Sequence, residues 1–223
     1  MATDAQVATR SADLALERPA LRGVLHLIAA FLAVVGTVLL LLVADSPSGY
    51  AGGAVFAVSL MLLYGTSASY HSLPWRPSWR HSVKRVDHAM IFILIAGTYT
   101  PFCLDVRLEW GISLLAVVWT LAGAGALLKL VWPDGPRWLS VVLYVGLGWI
   151  ALAGASEVLA RYSATPITLL VLGGALYTIG GVIYALQRPD PWPRIFGYHE
   201  VFHAFVVAGS AVHYAAIAAY VVR

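Results

Sequence analysis

Long apolar runs alternate with short polar breaks along almost the whole chain. A helix needs about 20 mainly apolar residues to cross the hydrocarbon core of a bilayer. Runs of about that length predict seven transmembrane helices, of which the third and the fifth are the shortest. They lie at residues 22–44, 51–72, 87–104, 110–132, 138–155, 165–187 and 199–222.

Turn-forming residues separate these runs. Pro, Gly, Ser and Asp cluster at 45–49, 133–136 and 189–193, and Pro74 and Pro77 follow the second run. None of these linkers is long enough for a second domain. Because irregular backbone is not tolerated against lipid, we expect one all-α bundle. The predicted organisation is a polar N-terminal tail, residues 1–21, and a seven-helix membrane domain, residues 22–223.

Composition strengthens the membrane assignment. The chain of 223 residues is 60% hydrophobic and only 11% charged, whereas a soluble domain carries about 25% charged residues. The tail lacks the apolar segment of a cleavable signal peptide. The net charge of +3 is scattered among loops, which argues against nucleic-acid binding. A single cysteine, Cys103, excludes an intrachain disulfide framework and a cysteine-rich zinc site. The abundance of Ala and Arg over Lys hints at a bacterial source, so we expect a bacterial plasma membrane protein.

The distribution of basic residues predicts orientation. Eleven of the fourteen Lys and Arg residues lie in the N-terminal tail and the second, fourth and sixth loops or within a few residues of them. Cytoplasmic segments carry such an excess, so we expect the N-terminus inside and the C-terminus outside. Tryptophans near the predicted helix ends are typical of an aromatic belt: Trp75, Trp79, Trp110, Trp132, Trp138 and Trp192. Glycines predicted to provide close helix contacts are Gly123, Gly125, Gly173, Gly174, Gly180 and Gly181.

Two histidines open the last apolar run. His199 and His203 are four residues apart, so they share one face of a helix, one turn apart. The predicted topology places His71 and Asp87 at the same cytoplasmic ends as this pair, with Ser67 one turn before His71. Ionisable groups at membrane depth are costly and usually functional. Three neutral histidines with one open position form the catalytic type of zinc site, in which bound water is acidified.

Several alternatives stay open. A histidine at a helix end commonly bonds a carbonyl or faces headgroups instead of binding metal. The segment His199-Glu200-x-x-His203 also matches the H-E-x-x-H pattern of soluble zinc proteases, in which the glutamate is the general base. Glu200 can equally favour the positive end of its helix.

The remaining histidines and the cysteine are interpreted differently. We interpret His26 as a structural, hydrogen-bonding residue, and His81 as solvated. His88 projects about 100° away from Asp87 on a helix, and His213 lies about 15 Å beyond His203, too far for the same ion. Cys103 is expected at the opposite end of the third helix.

These motifs together resemble a known family. Ser67-x-x-x-His71, Arg85-Val86-Asp87-His88, the segment 96–102, His199-x-x-x-His203 and His213-Tyr214 resemble the haemolysin III branch of the progestin and adipoQ receptor family. The resemblance runs from about His26 to Tyr214. It implies seven helices with the N-terminus inside, and zinc (Zn²⁺) on His71, His199 and His203. It further implies that Asp87 holds the zinc water, with Ser67 beside it.

The resemblance allows three functions. The first is a zinc-dependent hydrolase of lipid amides, ceramidase-like, with Asp87 as base, Ser67 as a positioning group and a membrane lipid as substrate. The second is a non-enzymatic membrane-homeostasis sensor with a structural zinc. The third is a haemolysin-like protein that perturbs membranes, although the apolar helices lack the polar stripe of an aqueous pore. The lipid substrate and the oligomeric state are not fixed by the sequence.

Overall fold

The computed structural model describes residues 19–106 and 108–222. In these ranges eight α-helices and one short 3₁₀-helix make up the fold. They are α1 (Val24–Val43), α2 (Pro47–Ser72), α3 (Pro77–Asp105), α4 (Leu108–Val131), α5 (Arg137–Trp149), the 3₁₀-helix (Ile150–Gly154), α6 (Ala155–Arg161), α7 (Ala164–Leu186) and α8 (Tyr198–Tyr220). Most of the predicted tail, residues 1–18, lies outside the described residues, as do Arg107 and Arg223.

Six of these helices are long and apolar enough to cross a membrane individually. The fifth crossing is a bent pair, in which 137–153 and 155–161 meet at 59°. Counting this pair as one crossing gives up to seven, so the predicted all-α membrane bundle is confirmed. The break lies at the end of the fifth predicted run, residues 138–155.

The helices close into a ring. Neighbours along the chain pack together in the pairs α1–α2, α2–α3 and α3–α4, while α5 packs on α7, α7 on α8, and α8 back on α1. Helix α3 also contacts α5 and α8. As a result α2, α3, α5, α7 and α8 surround a common interior, and α4 packs on the outside of α3. Large apolar side chains on the outer face, such as Phe31 and Leu42, are 70% and 74% exposed, as expected for a lipid-facing surface.

Contacts between loops define the two ends of the ring. At one end, the backbone N–H of Ala20 donates to the carbonyl of Arg194, and Lys84 pairs with Asp134. At the other end, Asp45 N–H donates to the Val222 carbonyl. The tail and the second, fourth and sixth loops therefore share one end, as the alternating topology predicts.

Helix α3 begins ten residues earlier than the predicted third helix. It starts at Pro77, a favourable first-turn residue, and its first turns contain Arg80, Lys84 and Arg85. A search for apolar runs misses polar turns of this kind. Asp87 therefore lies about 15 Å along α3, inside the bundle and not at a helix end.

The predicted glycine contacts divide into two groups. A methyl group added to Gly125 would overlap the ring of Phe92, and additions at Gly173, Gly180 and Gly181 would also meet other helices closely. At Gly174 the nearest atom belongs to Trp149, at an ordinary contact distance of 3.6 Å. Gly123 has nothing within 4 Å among the described residues, so the prediction was wrong there. Apolar periodicity does not tell which face of α4 meets a neighbour.

Candidate metal centre

Three histidines from two helices meet inside the ring. His71 lies in the last turn of α2, and His199 and His203 occupy the first two turns of α8. One ligand nitrogen from each lies within 4.8 Å of the other two. The i, i+4 spacing turns both α8 imidazoles towards α2, as the sequence predicted.

The donor set fits a zinc ion. Zinc–nitrogen bonds of about 2.0–2.1 Å in a tetrahedron place two nitrogens roughly 3.4 Å apart. The Nε2 atoms of His71 and His199 are 3.3 Å apart. Imidazole nitrogens are common zinc ligands, and three of them leave a fourth position for water or substrate. The geometry thus suits the catalytic type of site.

A buried carboxylate stands beside the three imidazoles. Oδ2 of Asp87 lies 4.0 Å from Nε2 of His71, and Asp87 is 8% exposed. The hydroxyl of Ser67 lies close enough to this carboxylate to interact with it electrostatically and is itself fully buried. All five predicted site residues are therefore brought together, although they come from three helices.

His26 forms a further wall of the site. Its ring stacks on that of His203, with centroids 3.6 Å apart and planes 10° apart. Its Nδ1 atom lies 2.7 Å from the Ser67 hydroxyl. The interpretation of His26 as a structural, hydrogen-bonding residue agrees with this geometry, but its contact with His203 was not predicted. Its place near the start of the first predicted helix, at the same predicted end as the other candidate residues, was the only hint of this contact.

Glu200 is engaged elsewhere. One carboxylate oxygen accepts from the backbone N–H of Gly197 at 2.8 Å, closing the first turn of α8. The other pairs with the Arg22 guanidinium, and Glu200 is 1% exposed. Both oxygens are thus committed to the helix start and to the tail, which speaks against the general-base role of a soluble zinc protease.

The other candidate residues lie apart from the three ligand nitrogens. His213 Nε2 bonds the Leu170 carbonyl at 3.1 Å, and His81 is about half exposed beside Asp134. Cys103, near the far end of α3, is buried and free. His88 follows Asp87 but belongs to a neighbouring part of the interior.

A cavity of about 590 Å³ connects these groups. It is bordered by polar residues at the end that carries the second and fourth loops, and by aromatic and apolar residues deeper in the ring. The lining includes Lys84, Asp87, His88, Lys129, Tyr144, Trp149, Tyr184, His199 and Phe202. The volume falls in the range of small-ligand sites.

Fold and site together define a class: a multi-pass membrane protein with three histidines and a carboxylate facing an internal cavity. Residues 14–214 match the Haemolysin-III related family. The chain belongs to this family, the haemolysin III branch of the progestin and adipoQ receptor family, which confirms the resemblance found from the motifs.

Named relatives agree with this assignment. The chain is 34% identical to Hemolysin-3 homolog of Bacillus subtilis over 76% of both chains. It is 31% identical to Hemolysin-3 of Bacillus cereus over 88% of both chains. A more distant match, 23% identical, is the human Monocyte to macrophage differentiation factor, covering 86% of this chain and 79% of that protein.

Proposed function

We propose that this protein is a zinc-dependent hydrolase of lipid amides that acts from within the membrane. The observation that carries the proposal is the position of the site: three imidazoles and a buried carboxylate line one internal cavity of a membrane bundle. Ionisable groups in such a place are expensive. The Asp87 carboxylate lies 4.0 Å from Nε2 of His71, close enough to contact a water in the fourth coordination position of the ion.

In this proposal His71, His199 and His203 hold the ion. Zinc in a site of this type polarises a carbonyl group and makes water more acidic. Asp87 accepts the proton of the attacking water and later delivers it to the leaving amine nitrogen, as a general base and acid. Ser67 holds the Asp87 carboxylate in place, and His26 in turn positions Ser67 through the 2.7 Å contact.

The character of the cavity supports a water-insoluble substrate. Its wall beyond the histidines includes Ile91, Leu94, Ile95 and Phe202, which suit a hydrocarbon chain. A ceramide-like amide meets these requirements, because it carries both an acyl chain and a scissile amide. We further propose that the site faces the cytoplasm, on the strength of the basic residues in the loops at that end.

The test is fatty-acid release from a panel of lipid amides by the purified protein reconstituted in liposomes. Asp87→Asn is expected to lower turnover about 100-fold or more, the usual contribution of a general base. Asp45→Asn, an exposed carboxylate outside the cavity lining, serves as matched control and should retain full turnover.

Two outcomes would contradict the proposal. Release that is unaffected by Asp87→Asn would remove the proposed base. No release from any amide by zinc-loaded wild-type protein would instead favour the non-enzymatic sensor. Ion conductance through the same liposomes would favour the haemolysin-like alternative.

A further inference from the structure

A buried lysine lines the cavity on the side of the fourth loop. Lys129 lies in the last turn of α4 and is 4% exposed. Its ammonium donates to the Ser140 hydroxyl at 2.5 Å. Among the described residues no carboxylate lies within ion-pairing distance of it. An ammonium group has three donors, so this charge is only partly satisfied by the protein.

The nearest acid is already occupied. Lys84 donates to Asp134 at 2.7 Å, and this contact lowers the pKa of the Asp134 carboxyl below its usual range. Asp134 also lies 3.8 Å from His81. Asp134 therefore forms its close ion pair with Lys84 at the exposed mouth of the cavity, and it acts on Lys129, one step further in, only at longer range.

His88 supplies a second unsatisfied group in the same part of the cavity. Its Nδ1 atom is buried and has no hydrogen-bond partner among the described residues. Its ring lies within electrostatic range of Lys129, Lys84 and Asp134, and it borders the cavity with them. Buried polar nitrogens without partners are uncommon and call for an explanation such as a missing ligand.

Helix geometry accounts for part of the lysine's environment. The carbonyl groups at the end of α4 favour a positive charge in its last turn. That effect does not satisfy the remaining donors of Lys129, nor does it concern His88 on α3. Arg137, exposed at the mouth of the same cavity, adds a further positive charge.

We propose that Lys129, His88 and Ser140 form an anion-binding subsite that holds the phosphate headgroup of an amphiphile. The hydrocarbon chain would extend past the histidines into the apolar part of the cavity. The subsite would make the substrate an anionic lipid amide, and this conclusion about the substrate rests on the proposed function. The binding of a phosphate-bearing amphiphile by the subsite does not depend on hydrolysis.

Binding is tested with the metal-chelated, full-length chain in non-ionic maltoside micelles, titrated under native mass spectrometry. The probes are hexadecyl phosphate, hexadecanol and inorganic phosphate. Wild-type protein should bind hexadecyl phosphate about tenfold or more tightly than hexadecanol, the factor expected for a charged hydrogen bond. Inorganic phosphate alone should bind far more weakly, because it lacks the chain.

Variants of the cavity residues show which side chains produce the preference for hexadecyl phosphate over hexadecanol. Lys129→Gln should abolish the discrimination between phosphate and alcohol, whereas Lys129→Arg should retain it. His88→Gln should reduce it severalfold. Arg161→Gln is the control, because it removes a cation from an exposed ion pair with Asp105 that lies outside the cavity lining.

Equal binding of the two hexadecyl probes to wild-type protein would overturn the subsite, as would an unchanged preference in Lys129→Gln. Inorganic phosphate binding as tightly as hexadecyl phosphate would overturn the lipid headgroup in favour of free phosphate. If Lys129→Gln fails to fold, the subsite is still tested by comparing the two hexadecyl probes on wild-type protein and on His88→Gln. Because chelated protein is used, absence of amide hydrolysis leaves this result unaffected.

Discussion

The imidazole ring of His26 lies parallel to that of His203 at a centroid distance of 3.6 Å. The same ring contacts Ser67 through its Nδ1 atom. Helix α1 thus touches both the candidate ligand set and the residue beside Asp87. Partners that orient metal ligands commonly contribute a factor of about 10–100 to metal affinity.

This contact leads to the first prediction. His26→Ala should weaken zinc binding about tenfold, because His203 loses the ring that fixes its orientation. The measurement is competition between the purified protein and a chelator of known affinity. His81→Ala, a half-exposed histidine, is the matched control and should bind as wild type. Equal affinities in both variants would assign His26 to packing alone.

The second prediction concerns the ligand set. His203→Ala should lower the zinc content of the purified protein about tenfold or more, since two imidazoles rarely retain the ion. His213→Gln lies on the same helix, ten residues further along, and should keep its zinc. Metal analysis of both variants beside wild type provides the measurement. If His203→Ala carries as much zinc as wild type, the three-histidine set is wrong.

The third prediction separates a structural Glu200 from a protease-like base. Glu200→Gln leaves the Arg22 guanidinium without its partner and should destabilise the protein by about 2 kcal/mol. This loss of stability is smaller than the usual cost of breaking a buried salt bridge, because the Arg22 side chain is 24% exposed and solvent weakens the interaction. Thermal unfolding in detergent measures the loss. Turnover per folded molecule should change little, whereas a fall as large as that of Asp87→Asn would restore the general-base role.

The fourth prediction tests helix packing with two glycines of α4. Gly125→Ala would overlap the ring of Phe92 and should destabilise the protein by about 1–3 kcal/mol, as overpacking usually does. Gly123→Ala, in the same helix with open space around it, should be neutral or stabilising by up to about 1 kcal/mol. Thermal unfolding of both variants beside wild type measures the two changes in stability. Similar losses in both would mean that the Gly123 side of α4 is packed as well, and a larger loss in Gly123→Ala would mean that α4 packs with the opposite face.

The amino-acid sequence by itself determined the membrane class, the approximate position of every crossing and the grouping of the loops at two ends. Those properties depend on local quantities, namely runs of apolar residues, turn formers and basic residues. The i, i+4 spacing of His199 and His203 likewise fixed their common face, because helix geometry is set by the backbone alone. The same local rules brought His71 and Asp87 to the correct end of the bundle.

Only the tertiary structure decided which of these residues touch. The stacking of His26 on His203, the pairing of Glu200 with Arg22 and the hydrogen bond from Lys129 to Ser140 each join residues from different segments of the chain. Such contacts depend on the rotation and depth of every helix in the ring, and an apolar helix surrounded by lipid carries little sign of either. Asp87 is an example. The polar first turns of α3 lengthen the helix at its start, but they do not change the apolar run from which the helix was predicted, so the depth of Asp87 in α3 could not be predicted.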